Sequence, residues 1–252
     1  MISQQLLAPK DRKPIARTTY GGPQYVAVKG NAQRIELHRG CPWANEHDYC
    51  YEPFEHEDFP IPKLTMNQVQ ILDMNFLARK DSLEIIKELG SKRVNGRVVH
   101  YELICGIHFS YITQELADTL KASRFVRPRI AWDGSINDQH KIKDAINILV
   151  KAGYKRNEIM LFMIVNHRIP YTECLRKMDL MKVWGVKVCD CCYDGGYKHA
   201  VPEYWTLKEM NDIRLKSRKH NQLVLFGIDP QPTVDQYRNG VVLPPISRDD
   251  EE

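Results

Sequence analysis

RPRIAWDGSINDQHKIKDAINILVKAGYKRNEIMLFMIVN, residues 127–166, decides the fold. In its middle, Ile142, Ala145, Ile146, Leu149 and Val150 fall at i, i+3, i+4, i+7 and i+8. That is the apolar stripe of an α-helix, with Asn137 ahead of it and Gly153 behind it as a stop. The flanks have no such period. RPRIAWDG (127–134) and EIMLFMIVN (158–166) are of strand length, and the second is apolar on both faces. A strand, an amphipathic helix and a wholly apolar strand make a βαβ unit, whose strands run parallel beneath helices.

The same alternation extends in both directions. Upstream, RIELH (34–38) reads as a first strand and QVQILDMN (68–75) as a second. DSLEIIKELG (81–90) reads as a helix with Asp81 or Ser82 near its cap and Gly90 as its stop. VVHYELICG (98–106) is a third strand, and TQELADTLKAS (113–123) a helix opened by Thr113. Downstream, a helix across Leu175, Met178 and Met181 ends at Gly185. VKVCDCCYD (186–194) is a sixth strand, followed by the basic helix LKEMNDIRLKSRKHN (207–221). Six units wind either as an open doubly wound sheet or as a barrel. No G-x-G-x-x-G follows the first strand, which argues against a dinucleotide site. The expected organisation is an N-terminal arm over 1–32, one α/β domain over 33–228 and a C-terminal tail over 229–252.

Of the 252 residues, 43% are hydrophobic and 27% charged, as in a soluble globular domain. Net charge is 36 − 32 = +4, too mild to demand a polyanionic partner. There is no signal-peptide pattern and no apolar run of membrane-spanning length, so the expected location is cytoplasmic, with no membrane contact. Seven cysteines in a reducing compartment point to metal, redox or catalytic use rather than structural disulfides.

In a parallel sheet, working residues gather at the carboxyl ends of strands. Here these include Asp73 and Asn75, Cys105, Trp132 and Asp133, Asn166, and Asp190 to Tyr193. They also include the loop RGCPWANEHDYCYEP (39–53) after the first strand. Cys41 and Cys50 with His47 between them suit a redox pair, a metal site or two core thiols, and zinc accepts the same Cys and His donors. In the sixth strand, Cys189 and Cys191 share a face, whereas Cys191 and Cys192 do not. Core packing and a second metal or substrate site both fit them. Cys105 reads first as a small buried hydrophobe.

The loop resembles that of the radical S-adenosylmethionine (radical SAM) family, which carries C-x3-C-x2-C after its first strand. GCP (40–42), the YC ending (49–50) and the following YEP (51–53) carry the resemblance. ILDMNFLA, RIAWD and DAINILVKAGYKRNEIMLFMIVN extend it over roughly residues 34–195. It implies a partial (β/α)6 TIM-like barrel with parallel strands, outer helices and terminal arms. It also implies a [4Fe–4S] cluster, S-adenosylmethionine as cofactor, and an electron donor such as flavodoxin or ferredoxin. The family reaction cleaves S-adenosylmethionine reductively to a 5′-deoxyadenosyl radical that abstracts hydrogen from a substrate.

This chain departs from the motif, with C-x5-H-x2-C in its place. The resemblance then makes Cys41, His47 and Cys50 the cluster ligands. A histidine ligand raises a cluster's reduction potential. Cys105, Cys189, Cys191 and Cys192 are candidate further ligands. Tyr49 would lie beside the adenine. Asp73 and Asn75 stand where the family has a Gly-Gly-Glu stretch for the amino group of the cofactor, without those glycines. Asp133 would bond the ribose or remain a solvated carboxylate, and Asn166 and Glu173 would lie on the adenine side. Two other functions stay open: a non-catalytic zinc or iron–sulfur protein, and nucleic-acid binding through RLKSRKHN (214–221), which reads otherwise as a solvated helix face.

Overall fold

The computed structural model describes residues 21–44, 46, 47, 49, 50, 52–193 and 202–227. Residues 1–20 of the expected arm, the tail from 228, Tyr51 and Asp194 lie outside these. Strand β1 (Val26–Lys29) pairs antiparallel with β2 (Ala32–Ile35) around Gly30 and Asn31. The stretch read as an arm therefore contains an edge hairpin. Its signal is a two-residue Gly-Asn turn, with Gly30 at φ +61°.

Strands β3 (His38–Arg39) and β4 (Glu57–Asp58) form a short antiparallel pair that closes the cysteine loop. Next come β5 (Gln68–Ile71), helix α1 (Ser82–Ser91), and the hairpin of β6 (Arg93–Val94) and β7 (Arg97–Val98). They are followed by β8 (His100–Leu103), β9 (Ile107–His108), α2 (Gln114–Ala122), β10 (Arg129–Ala131) and α3 (Gln139–Lys151). The described fold ends with β11 (Met160–Val165), α4 (Tyr171–Val183), β12 (Lys187–Cys192) and α5 (Leu207–Phe226).

Two four-stranded sheets result, β1-β2-β5-β8 and β9-β10-β11-β12. Every pairing after the β1 hairpin is parallel within them. The expected parallel α/β class with helical cover is thus present, and the described residues close no barrel. The third expected strand, 98–106, stops early at Leu103 as β8, and β9 follows just beyond it in the other sheet. It breaks at Ile104–Gly106, where Gly106 turns at φ +92° with the Phe162 ring so close that a Cβ would sit 2.6 Å from it. A parallel bridge between Tyr101 and Phe125 ties β8 to the segment that leads into β10.

Helix α3 follows its sequence stripe. Ile142, Ala145, Ile146 and Leu149 are buried. At about 1.5–3 kcal/mol for each large aliphatic side chain removed from water, this stripe outweighs any helix propensity. The turn before it is capped by Ser135, which accepts from the Asn137 N–H at 3.2 Å. Thr113 caps α2 as expected, accepting from Leu116 N. Gly90 does not stop α1. It lies within the helix, and a Cβ there would meet the Ser123 hydroxyl at 2.7 Å, so it lets α1 approach the end of α2.

Candidate functional site

The cysteine loop starts at a glycine for a steric reason. Gly40 sits at φ +102°, and a Cβ on it would collide with the carbonyl of Glu55. The next residue, Cys41, donates its N–H to Pro53 O at 3.0 Å and so ties the two ends of the loop together. Inside, Ala44 N bonds Cys41 O, His47 N bonds Trp43 O, and Cys50 N bonds His47 O, which winds the loop into successive turns. The β3–β4 hairpin braces it. Buried Arg39 forks onto both oxygens of Glu36 at 3.0 and 2.7 Å and reaches Glu57 at 2.9 Å. His38 shares hydrogen bonds with Asp58 at 2.6 Å and His56 at 3.1 Å.

This winding brings the two thiols into hydrogen-bond contact. Cys41 is lowered to about 7, first by the hydrogen bond from Cys50, then by the Trp43 backbone and the Asn75 amide, against the opposing effect of burial. Cys50, as the donor, is pushed strongly upward. The two thiols titrate as a pair, and the hydrogen bonds from Cys50 and Asn75 favour the thiolate on Cys41. Asn75 donates to Cys41 Sγ at 3.8 Å from the segment after β5.

His47 does not complete this pair. Its ring stacks between Trp43 (centroids 6.4 Å) and Tyr49 (5.0 Å, 16° between planes). Among the described residues, no three His, Cys, Asp or Glu side chains form a group ready to hold a metal ion. The aromatic residues instead make the loop a strap. Trp43 packs on His108 of β9 at 4.3 Å, and Tyr49 meets the edge of His167, just after β11, at 5.4 Å. The loop thus reaches across the carboxyl ends of the second sheet.

The other expected site residues take separate places. Asp73 lies 5% exposed. One of its oxygens accepts from Leu37 N at 2.9 Å, and the other is buried with no partner among the described residues. Burial, more than any neighbour, holds its carboxyl well above the usual range. Asp133 is pushed up to about 6 by desolvation, in part offset by Lys177. Asn166 is fully buried at φ +59° and ties the end of β11 to later segments. It donates to Tyr193 O at 3.0 Å and accepts from Glu203 N and Trp205 N. Glu173 accepts from Ile136 N at 2.8 Å, so it fastens α4 to the turn before α3. Cys105, expected to be buried, is half-exposed at the break in the third strand and points its thiol at Leu72 O, 3.1 Å away.

On β12, Cys189 and Cys191 share a face, as strand alternation requires, and their thiols are hydrogen-bonded. Cys192 turns the other way, toward the core. In the basic helix, Arg214 and Arg218 face Asp190, and Lys216 bonds Asp212 and Tyr171. That commits part of the basic run to intramolecular contacts.

Lys177 is the site-forming residue that sequence reading missed. Its Nζ is fully buried, donating to Trp132 O at 3.2 Å and to Gly134 O, and lying 5.2 Å over the Trp132 ring. The signal was present. Lys177 interrupts the apolar stripe of Cys174, Met178 and Met181, where a charge survives only with buried acceptors. His167, the hub for Tyr49, Tyr193 and Tyr204, had no local signal. No protein-family model and no curated protein matches this chain, so its geometry alone must carry a reading of function.

Proposed function

We propose that the protein is an iron–sulfur enzyme of the radical SAM type, with its parallel strands curled as a partial (β/α)6 barrel. The observation that carries this reading is the contact between the Cys41 and Cys50 thiols in a glycine-started loop at the carboxyl end of the first parallel strand. Thiolates are the ligands such clusters use, and Cys41, lowered to about 7, is ready to supply one. When bound, a [4Fe–4S] group of this type supplies the single electron that cleaves S-adenosylmethionine.

The chain's own residues then have distinct tasks. Cys41 and Cys50 anchor the group, and Asn75 orients Cys41. Asp73 presents a buried carboxyl oxygen with no partner among the described residues, suited to a cationic ligand group. His47 is the third ligand by spacing, and its stack does not forbid this. Leaving an aromatic pair costs about 0.5–1.5 kcal/mol. Metal binding through such side chains returns on the order of 10 kcal/mol for a structural site. Trp43 and Tyr49 hold the loop over the strand ends and exclude water there. The site lies in a reducing, cytoplasmic setting in this reading.

Anaerobic purification with iron and acid-labile sulfide quantitation tests it, with spectra before and after dithionite. The expected result is a brown, oxygen-sensitive protein that loses its iron in Cys41→Ala and Cys50→Ala. His47→Phe keeps an aromatic ring in the stack but removes the donor, and iron retention should drop there as well. Full iron in His47→Phe would remove His47 from the ligand set. Stoichiometric zinc without sulfide would overturn the whole reading.

A further inference from the structure

Strand β12 carries a second pair of thiols that the proposed cluster does not use. Alternation along the strand sets Asp190 toward α5, where Arg214 and Arg218 face it. Cys189 and Cys191 point to the opposite side, toward Asp133, with Arg129 beside Cys189. Both residues are half-buried. Register holds them rigidly, since Cys189 pairs with Phe162 and Cys191 with Ile164 in a continuous parallel ladder.

That rigidity decides what the pair can do. Residues i and i+2 of an extended strand are roughly 6.5 Å apart at Cα, near the upper limit for a disulfide, and this ladder resists the pucker that would shorten the distance. Closure to a disulfide is therefore disfavoured. A bound ion spans a longer gap between two sulfurs than the roughly 2 Å bond of a disulfide, so it asks less of the backbone. Zinc seeks four ligands. Among the described residues, no third His, Cys, Asp or Glu side chain completes a three-donor group with these two. Soft thiolates favour cuprous ion, which accepts low coordination. The positive field of Arg129 lowers Cys189 in the same direction as the hydrogen bond from Cys191. Asp133 and Asp190 act in the opposite direction, and Arg129, which also pairs with Glu102, is the nearby cation set against them.

We propose that Cys189 and Cys191 form a two-thiol clamp for a soft monovalent ion of the cuprous class, separate from Cys41 and Cys50. The test is an anaerobic titration of the full-length, iron-free chain with cuprous ion against a chromophoric chelator. In the Cys41→Ser/Cys50→Ser background, which removes the other thiol pair, one equivalent should bind. Adding Cys191→Ser should abolish it, whereas adding Cys105→Ser should not. A second measurement needs no variant. In the wild-type chain, cuprous ion should protect Cys189 and Cys191 from maleimide labelling, read by peptide mass spectrometry. Unchanged labelling of these two residues would overturn the proposal. So would a bound equivalent that survives Cys191→Ser, or occupation by zinc with no cuprous binding. None of these results depends on whether Cys41 and Cys50 hold iron.

Discussion

Asn75 donates to the sulfur of Cys41 at 3.8 Å, so the loop after β3 and the segment after β5 meet at one thiol. That bond, with the one from Cys50, favours the thiolate. Cysteine-selective NMR should show Cys41 ionising around pH 7, thiolate above and thiol below. Replacing Asn75 by Leu removes a hydrogen bond worth about 1 kcal/mol and should move that midpoint upward. A midpoint that stays put would show the amide to be a bystander.

Gly40 fixes where the loop leaves the strand. Gly40→Ala forces a side chain into a positive-φ position, at a cost of about 1–3 kcal/mol, and drives its Cβ against the Glu55 carbonyl. Gly30→Ala, also at positive φ but in open space, is the matched control. Denaturant unfolding should show a clearly larger loss at Gly40. In the same variant, Cys41 should return toward an ordinary thiol as its contact with Cys50 opens. Equal losses at the two glycines would refute the steric role.

Asp73 gives a pH dependence of definite sign. Its folded carboxyl titrates well above the unfolded value near 3.9. Between those two points the folded state holds the extra proton, so stability falls as pH rises through that interval. Asp73→Asn keeps an oxygen for the Leu37 N–H and has no charge to desolvate. Calorimetry near neutral pH should find a melting temperature raised by a few degrees, at roughly 2–4 °C per kcal/mol for a chain of this size. The gain should vanish in strong acid. A lower melting temperature at neutral pH would contradict the reading.

Lys177→Met keeps most of the volume but strips donors from the carbonyls of Trp132 and Gly134. Each buried acceptor left alone costs about 1–3 kcal/mol, so the variant should lose several kcal/mol in chemical denaturation. Lys177 also holds Asp133 down, so in a folded sample the Asp133 carboxyl should rise above about 6 by NMR titration. An unmoved Asp133 would mean that the lysine acts on the backbone alone.

The strap formed by Trp43 and Tyr49 and the hub at His167 belong to contacts that no local pattern encodes. Helix α3, by contrast, was legible in its stripe, because burial of a 3.6-residue period is a local property of the chain. Val150 is nevertheless only half-buried, and Asp138 rather than Asn137 stands at the helix start. The same holds for the Thr113 cap and for the shared face of Cys189 and Cys191, which follow from helix-end chemistry and the two-residue period of a strand. The Gly-Asn turn after β1 is an equally local signal.

Gly90 illustrates what sequence leaves open. A glycine near the end of an apolar stripe reads as a stop until Ser123, from another helix, occupies the space a side chain would need. His47 is the functional counterpart. Its spacing from Cys50 marks it as a ligand, whereas its stacking with Trp43 and Tyr49 is visible only in the folded loop. Sequence by itself determined the parallel α/β class and the end of the sheet at which the cysteine loop lies. Tertiary structure decided which sulfurs titrate as a pair, which carboxylate oxygen has no partner among the described residues, and which lysine is buried. Those outcomes depend on desolvation and on distances between residues tens of positions apart, and both are set only when the elements pack.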